Sequence, residues 1–87
     1  RGNYYFSGVW GQAAEDERHI LQVMAGGTDA WSLAELQTAT KLHLAAIETA
    51  LGKLEQHDVL MRESDENSIT RWRFQVPLMQ QWVNDIY

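Results

Sequence analysis

The sequence predicts a mostly helical α+β fold of the winged-helix type, and two observations carry this prediction. Up to about residue 58, apolar residues recur at steps of three and four, which is the period of amphipathic helices. Over 59–76, apolar and polar residues alternate, which is the period of strands. Three helices, a β-hairpin and a closing helix follow the order of a winged helix-turn-helix. The length of 87 residues fits one domain, which we expect to span 1–87.

The first twelve residues predict an irregular aromatic arm. They hold four aromatic residues and three glycines without a clear period. We expect the arm to pack Tyr5, Phe6 and Trp10 onto the core, or onto whatever precedes this segment. Trp10 is the tryptophan that we expect to reach a neighbouring domain. The other three should cover the core where the hairpin meets the last helix: Trp31, Trp72 and Trp82.

The first helix is predicted over 13–25. Three carboxylates occupy its first turn, where the helix dipole favours anions, and we interpret them as a solvated helix start: Glu15, Asp16 and Glu17. Three apolar residues form the inward stripe: Ile20, Leu21 and Met24. Gly26 and Gly27 then end the helix.

A helix-turn-helix pair completes a three-helix core over 13–58. Ala30 and Trp31 form a short extended link. Ser32 and Glu35 have the spacing of a capping box, which predicts a helix over 33–40 with two inward residues, Leu33 and Leu36. After a break at 40–43, a third helix is predicted over 44–57. Its inward face has four residues: Leu44, Ile47, Leu51 and Leu54.

The remaining residues predict a wing and a closing helix. The wing spans 59–76, with strands over 59–63 and 69–76 joined by a polar turn. Along the second strand, one face carries Trp72, Phe74 and Val76, and the other carries Arg71, Arg73 and Gln75. Pro77 suits the first position of a helix, predicted over 77–86 within a terminal segment 77–87. Its apolar face consists of Leu78, Met79, Trp82, Val83 and Ile86.

Two stretches of the chain resemble known winged-helix domains. The run WSLAELQTATKLHLAAIETALGKLEQHDVL resembles their helix-turn-helix core. The ending RWRFQVPLMQQWV, and the opening VWGQAAEDERHIL, resemble winged helices that follow the nucleotide-binding domain of bacterial signalling ATPases of the STAND or AAA type. This resemblance implies a regulatory lever or packing surface of a larger, ATP-hydrolysing protein.

No pattern for catalysis or for a cofactor is present in this segment. The stretch Gly26-Gly27-Thr28 lacks the glycine and lysine frame of a phosphate loop. No two of the three histidines, His19, His43 and His57, have the spacing of a metal-binding pair. No serine has a readable nucleophile motif. We therefore expect neither an enzyme nor a metal or other cofactor here.

The outward face of the third helix admits two interpretations. Placing the leucines inward turns five residues outward: Ala45, Thr49, Gly52, Lys53 and Gln56. Small residues let another backbone approach closely, which favours a docking face for protein. In a DNA-binding domain the same helix would enter the major groove. Candidate phosphate contacts are then Lys53, Arg62, Arg71 and Arg73.

Charge decides between these interpretations at the level of sequence. The formal net charge is −5, whereas DNA-binding domains usually carry a basic excess. Glu48 and Glu55 flank the outward face, and acidic residues also occupy the hairpin. The wing arginines fit either phosphate contacts or cross-strand pairs with carboxylates. The sequence thus favours docking on other domains or on a protein partner, and disfavours DNA.

The cellular setting follows from what the sequence lacks. It has no cysteine, no secretory signal pattern and no apolar run of membrane length, which fits a cytoplasmic protein. Because it begins with Arg1, we expect it to be a segment of a longer protein. The main prediction is a non-enzymatic interaction module of a bacterial signalling ATPase. The alternatives are the DNA-binding domain of a transcriptional regulator and a dimerisation module that uses the last helix.

Overall fold

The computed structural model describes residues 3–27 and 30–86, with the backbone alone for residues 3–6 and 86. These ranges form a winged helix flanked by two further helices, which confirms the predicted fold class. Among them, no helix has the length and apolar composition needed to cross a membrane. The elements are, in order, α1 (Asn3–Gln12), α2 (Glu15–Ala25), β1 (Ala30–Ser32), α3 (Leu33–Thr40), α4 (Leu44–Gln56), β2 (Leu60–Ser64), β3 (Thr70–Phe74) and α5 (Pro77–Ile86).

The predicted irregular arm is wrong, because residues 3–12 form helix α1. Its aromatic residues do not follow a single 3.6-residue stripe, so the sequence shows no helical period. Trp10 is buried in this domain, where its ring packs edge-on against Trp82 with centroids 6.2 Å apart. Trp10 therefore packs onto the core, which is one of the two placements expected for it. The predicted packing of Tyr5 and Phe6 lies outside the described side chains.

The core lies between α2, α3, α4 and α5. The inward stripe of α2 is fully buried, as its period predicts, and so are Leu36 of α3 and three residues of α4: Ile47, Leu51 and Leu54. Two predicted inward residues are instead exposed, Leu44 by 42% and Leu78 by 68%. Both lie in the first turn of a helix, α4 or α5, in which another residue, Ile47 or Met79, is the buried one. On α5, Met79 and Val83 are buried and form its inner face.

The helix-turn-helix is fixed by local hydrogen bonds at both ends of α3. The predicted capping box is present: the Glu35 N–H donates to the Ser32 hydroxyl, and the Ser32 N–H donates to Glu35 Oε1 at 2.8 Å. At the other end Lys41 takes a left-handed conformation, with φ of 61°, and its N–H donates to the Gln37 carbonyl. This conformation stops α3 and starts the short turn into α4.

The wing belongs to a three-stranded antiparallel sheet in the order β1-β3-β2. The predicted hairpin is present, and Arg62 of β2 lies opposite Trp72 of β3. The expected extended link is a strand, because Trp31 pairs with Trp72 from the other side. β3 is thus held between two strands, and this anchors the root of the wing to the start of α3.

Gly27 should be needed for the packing of Trp31. A Cβ atom at Gly27 would overlap the Trp31 indole, which packs partly buried against the core. We expect Gly27→Ala to lower the free energy of unfolding by about 1–3 kcal/mol, as overpacking does. Gly52→Ala is the matched control, since a Cβ there meets open space and should add about 0.5–1 kcal/mol of stability. Urea denaturation would measure both, and equal stability of Gly27→Ala and wild type would contradict this packing.

Candidate nucleic-acid interface

The outward side of α4 forms a continuous exposed surface, which we call the α4 face. It consists of the five residues that the helical period turns outward, and all five are exposed: Ala45, Thr49, Gly52, Lys53 and Gln56. Ile47, Leu51 and Leu54 on the opposite side fix the rotation of the helix in the core. The α4 face therefore presents one ammonium group, one amide and three small residues to a partner.

Two wing arginines remain largely exposed although each has an acidic neighbour. Arg62 Nη2 lies 3.2 Å from Glu55 Oε2, and its side chain is 59% exposed. Arg73 Nη1 lies 3.6 Å from Glu63 Oε1, and its side chain is 44% exposed. Exposed pairs of this kind are weak in water, so each guanidinium can also reach a second anion.

Arg71, the third candidate phosphate contact, is partly exposed and is held by two carboxylates. Its Nε donates to Asp65 Oδ2 at 2.9 Å, and its Nη1 donates to Glu35 Oε1 at 2.8 Å. Glu35 is also the capping residue of α3, so Arg71 connects the wing to the start of that helix. The hydrogen bond from Arg71 holds the pKa of Asp65 below its ordinary value. The Ser32 N–H and the Arg71 charge do the same for the pKa of Glu35.

The wing-tip turn depends on the same aspartate. Asp65 Oδ1 accepts hydrogen bonds from the N–H groups of Asn67 at 2.8 Å and Ile69 at 3.0 Å. The other oxygen of Asp65 binds Arg71. The Asp65 carboxylate therefore stabilises the turn through these hydrogen bonds, and its charge is opposed by the Arg71 guanidinium.

Glu55 joins α4 to the wing. Its Oε1 accepts a hydrogen bond from the indole N–H of Trp72, and its Oε2 accepts one from Arg62. From the sequence, Glu55 counts among the charges that repel phosphate. In the folded domain its charge is opposed by Arg62, so of the two flanking carboxylates Glu48 is the exposed one without an ion pair among the described residues.

Removing the Glu55 carboxylate should loosen the wing. We expect Glu55→Ala to lower the free energy of unfolding by about 1–3 kcal/mol, because the indole N–H of Trp72 then loses its acceptor. Glu48→Ala, one exposed carboxylate on the same helix, is the control and should change stability by less than about 0.5 kcal/mol. Urea denaturation followed by tryptophan fluorescence would measure both. Equal losses in the two variants would show that the indole contact contributes nothing.

The predicted residues thus divide into two groups in space. Arg62 is bound to α4, so it lies beside the α4 face, while Arg71 is bound to the start of α3. Lys53 makes no ion pair with any described residue, which leaves its ammonium group available on the α4 face. Groups of three or more possible metal ligands are absent from the described part of the chain.

One residue has an environment that the sequence does not indicate. The prediction that Glu17 belongs to a solvated helix start is wrong, because the residue is only 7% exposed. Glu17 lines a cavity together with Val9 and Gln12 of α1 and Leu54 of α4. The sequence carries no helical signal for α1, so nothing in it points to this environment.

The fold is shared with solved structures, among them two regulators of transcription. No family model matches the sequence, and no curated protein matches it significantly. The fold is similar to the adhesin competence repressor AdcR from Streptococcus pyogenes, with a TM-score of 0.71 and 18% identity over 86% of this chain and 55% of that one. It is equally similar to a transcriptional regulator of the MarR family from Silicibacter pomeroyi, with a TM-score of 0.71 and 18% identity over 90% of this chain and 51% of that one. A point mutant of Lactococcus lactis ZitR gives a TM-score of 0.68 and 21% identity over 82% of this chain and 51% of that one.

These similarities correct the main functional prediction. The chain spans about half the length of each of the three solved chains, and the identities support likeness of fold. Two of the three are described as a repressor or a transcriptional regulator, so the match favours the regulator alternative. The prediction of an interaction module in a STAND-type or AAA-type signalling ATPase is therefore wrong. That prediction rested on a short resemblance at the two ends of the chain.

Proposed function

We propose that this chain is the DNA-binding winged-helix module of a transcriptional regulator. The observation that carries the proposal is the match of 86% and 90% of this chain to a repressor and to a MarR-family regulator, with TM-scores of 0.71. In helix-turn-helix proteins the second helix of the motif enters the major groove. The corresponding element here is α4, whose outer face is exposed along its length.

The chemistry of the α4 face fits a helix that approaches DNA closely. Ala45, Thr49 and Gly52 present little bulk, so the helix axis can come near the base edges. Gln56 can bind an adenine through two hydrogen bonds, and Lys53 can reach a phosphate or a guanine. Arg62, beside α4, and Arg73, on the opposite face of the hairpin, are exposed, and we propose that both contact the DNA backbone.

The acidic balance limits the affinity of a single copy. The net charge is −5, and only Lys53, Arg62 and Arg73 are proposed as phosphate contacts. Three such contacts give a salt slope of about −2.7 in log affinity, so affinity should fall about 40-fold between 50 and 200 mM salt. Arg71 is left out of this count because two carboxylates hold it. In this proposal the module acts without a metal or other cofactor and works as part of a longer chain.

A salt titration with matched variants tests the proposal. Fluorescence anisotropy with a labelled pool of random duplexes would give affinity at about 50 and 200 mM salt. Lys53→Ala and Arg73→Ala should each make the slope shallower by about 0.9, and Arg71→Ala should lower affinity with little change of slope. Gln81→Ala on the exposed side of α5 is the control and should change neither quantity. Absence of binding at low salt, or equal effects of all four variants, would contradict the proposal.

A further inference from the structure

A cavity of about 430 Å³ lies on the side of the domain where α1 ends and α2 begins. Its apolar wall is formed by residues of α1, α4 and the segment that leads into β2, among them Val9, Leu54 and Val59. Its polar groups include Gln12, Glu17 and His57. Lys53 and Gln56 also line it, so half of its ten lining residues are polar, and its size is in the range of small-molecule sites.

Glu17 is the unusual member of this lining. The residue is only 7% exposed, and none of the described hydrogen bonds or ion pairs involves its carboxylate. No buried side-chain oxygen among the described residues lacks both solvent contact and a partner. The carboxylate oxygens therefore reach open space, and the open space that Glu17 lines is this cavity and the smaller groove beside it.

A carboxylate in this position is costly to keep without a partner. Burying an ionised group is unfavourable unless a cation or hydrogen-bond donors face it. The N-terminal dipole of α2 favours an anion in its first turn, but Ala14 at the N-cap supplies no side chain that could bind Glu17. Lys53 lines the same cavity, yet its ammonium group is not within ion-pair distance of Glu17.

We infer that this cavity binds a small organic cation, with an amidinium or ammonium head on Glu17 and an apolar body against Val9, Leu54 and Val59. A charge-assisted hydrogen bond from such a head would give this carboxylate the cationic partner that no described residue supplies. Lys53 is exposed, so solvent screens the charge of its ammonium group, which opposes a bound cation less than Glu17 attracts it. The inference concerns a ligand of the domain itself and does not depend on DNA binding.

Benzamidine and benzamide make a sharp pair of probes, because the two molecules have nearly the same shape and only the first is a cation. Titration of the 87-residue chain, followed by ¹H–¹⁵N NMR, should show benzamidine binding with a Kd on the order of 1 mM or tighter. The shifts should concentrate in residues 9–17 and 53–59. Benzamide should bind at least about tenfold more weakly, since it offers Glu17 no charge.

Two substitutions in the first turn of α2 test whether the Glu17 carboxylate is the group that binds benzamidine. Glu17→Gln should weaken benzamidine binding about tenfold and bring it close to that of benzamide. Glu15→Gln removes an exposed carboxylate of the same turn and should leave the Kd unchanged. Equal affinity for the two probes in the wild-type chain would overturn the inference, and this comparison needs no variant to fold. Shifts located elsewhere, or equal effects of the two substitutions, would also overturn it.

Discussion

Replacing Phe74 with alanine should lower the free energy of unfolding by about 3–5 kcal/mol, which is the cost of removing a buried aromatic ring. Phe74 is only 3% exposed and ends β3, the central strand of the sheet. It lies opposite Leu60, which is also buried. A cavity there would separate the wing from the helical core, so a domain of this size should lose much of its stability.

Urea denaturation with circular dichroism measures this loss. Ile69→Ala is the matched control, because Ile69 lies just before the same strand and is 43% exposed. The control should change stability by no more than about 0.5 kcal/mol. A loss below about 1 kcal/mol in Phe74→Ala would contradict the prediction, because it would mean that removal of the ring leaves no cavity in the core. A comparable loss in both variants would mean that the wing tip, and not the core, limits stability.

The helix-turn-helix and the wing could be predicted because their signals are local. A capping box needs only Ser32 and Glu35, three residues apart, and both of its hydrogen bonds are present. The alternation over 59–76 gives β2 and β3 their faces, and Trp72 and Phe74 are buried as the pattern predicts. Each of these signals involves residues that are close together in the sequence, so it depends only on the local geometry of the backbone.

Helix α1 and the ends of helices were mispredicted because their environment is set by other elements. Trp10 of α1 is buried against Trp82 of α5, which is a contact between the two ends of the chain. Leu44 and Leu78 continue the apolar period of α4 and α5, yet they stay exposed while Ile47 and Met79 in the same turns are buried. Glu17 is the opposite case, a charged residue that is buried and lines a cavity with residues of α1. Periodicity identifies a face but not how far the neighbouring elements extend over it.

The electrostatics of the candidate interface could not be read from sequence for the same reason. Glu35 and Arg71 are 36 residues apart in the chain and hydrogen-bonded in space. Glu55 and Trp72 are 17 residues apart and hydrogen-bonded as well. A count of charges treats Glu55 as a repulsive neighbour of the α4 face, whereas in the fold it opposes Arg62. The pairing of charges, which only the fold gives, therefore determines which carboxylates and which arginines beside the α4 face are unopposed.

Replacing Glu48 with lysine should raise the affinity for duplex DNA about tenfold at roughly 50 mM salt, because it removes a repulsive charge and adds a phosphate contact. Glu48 is exposed on α4 next to Thr49, and no described ion pair opposes its charge. The salt slope should become steeper by about 0.9, from roughly −2.7 to −3.6. Anisotropy titrations at several salt concentrations would measure both quantities.

Asp85→Lys makes the same change of net charge on α5, which packs against α2 and not on the α4 face. If α4 faces DNA, this control should raise affinity by less than about threefold, since screening confines charge effects to roughly 10 Å at 0.1 M salt. Equal gains from the two variants would mean that net charge alone controls binding and that the α4 face has no special position. A gain confined to Glu48→Lys would place the phosphates beside α4, because only a nearby charge changes both the affinity and the slope.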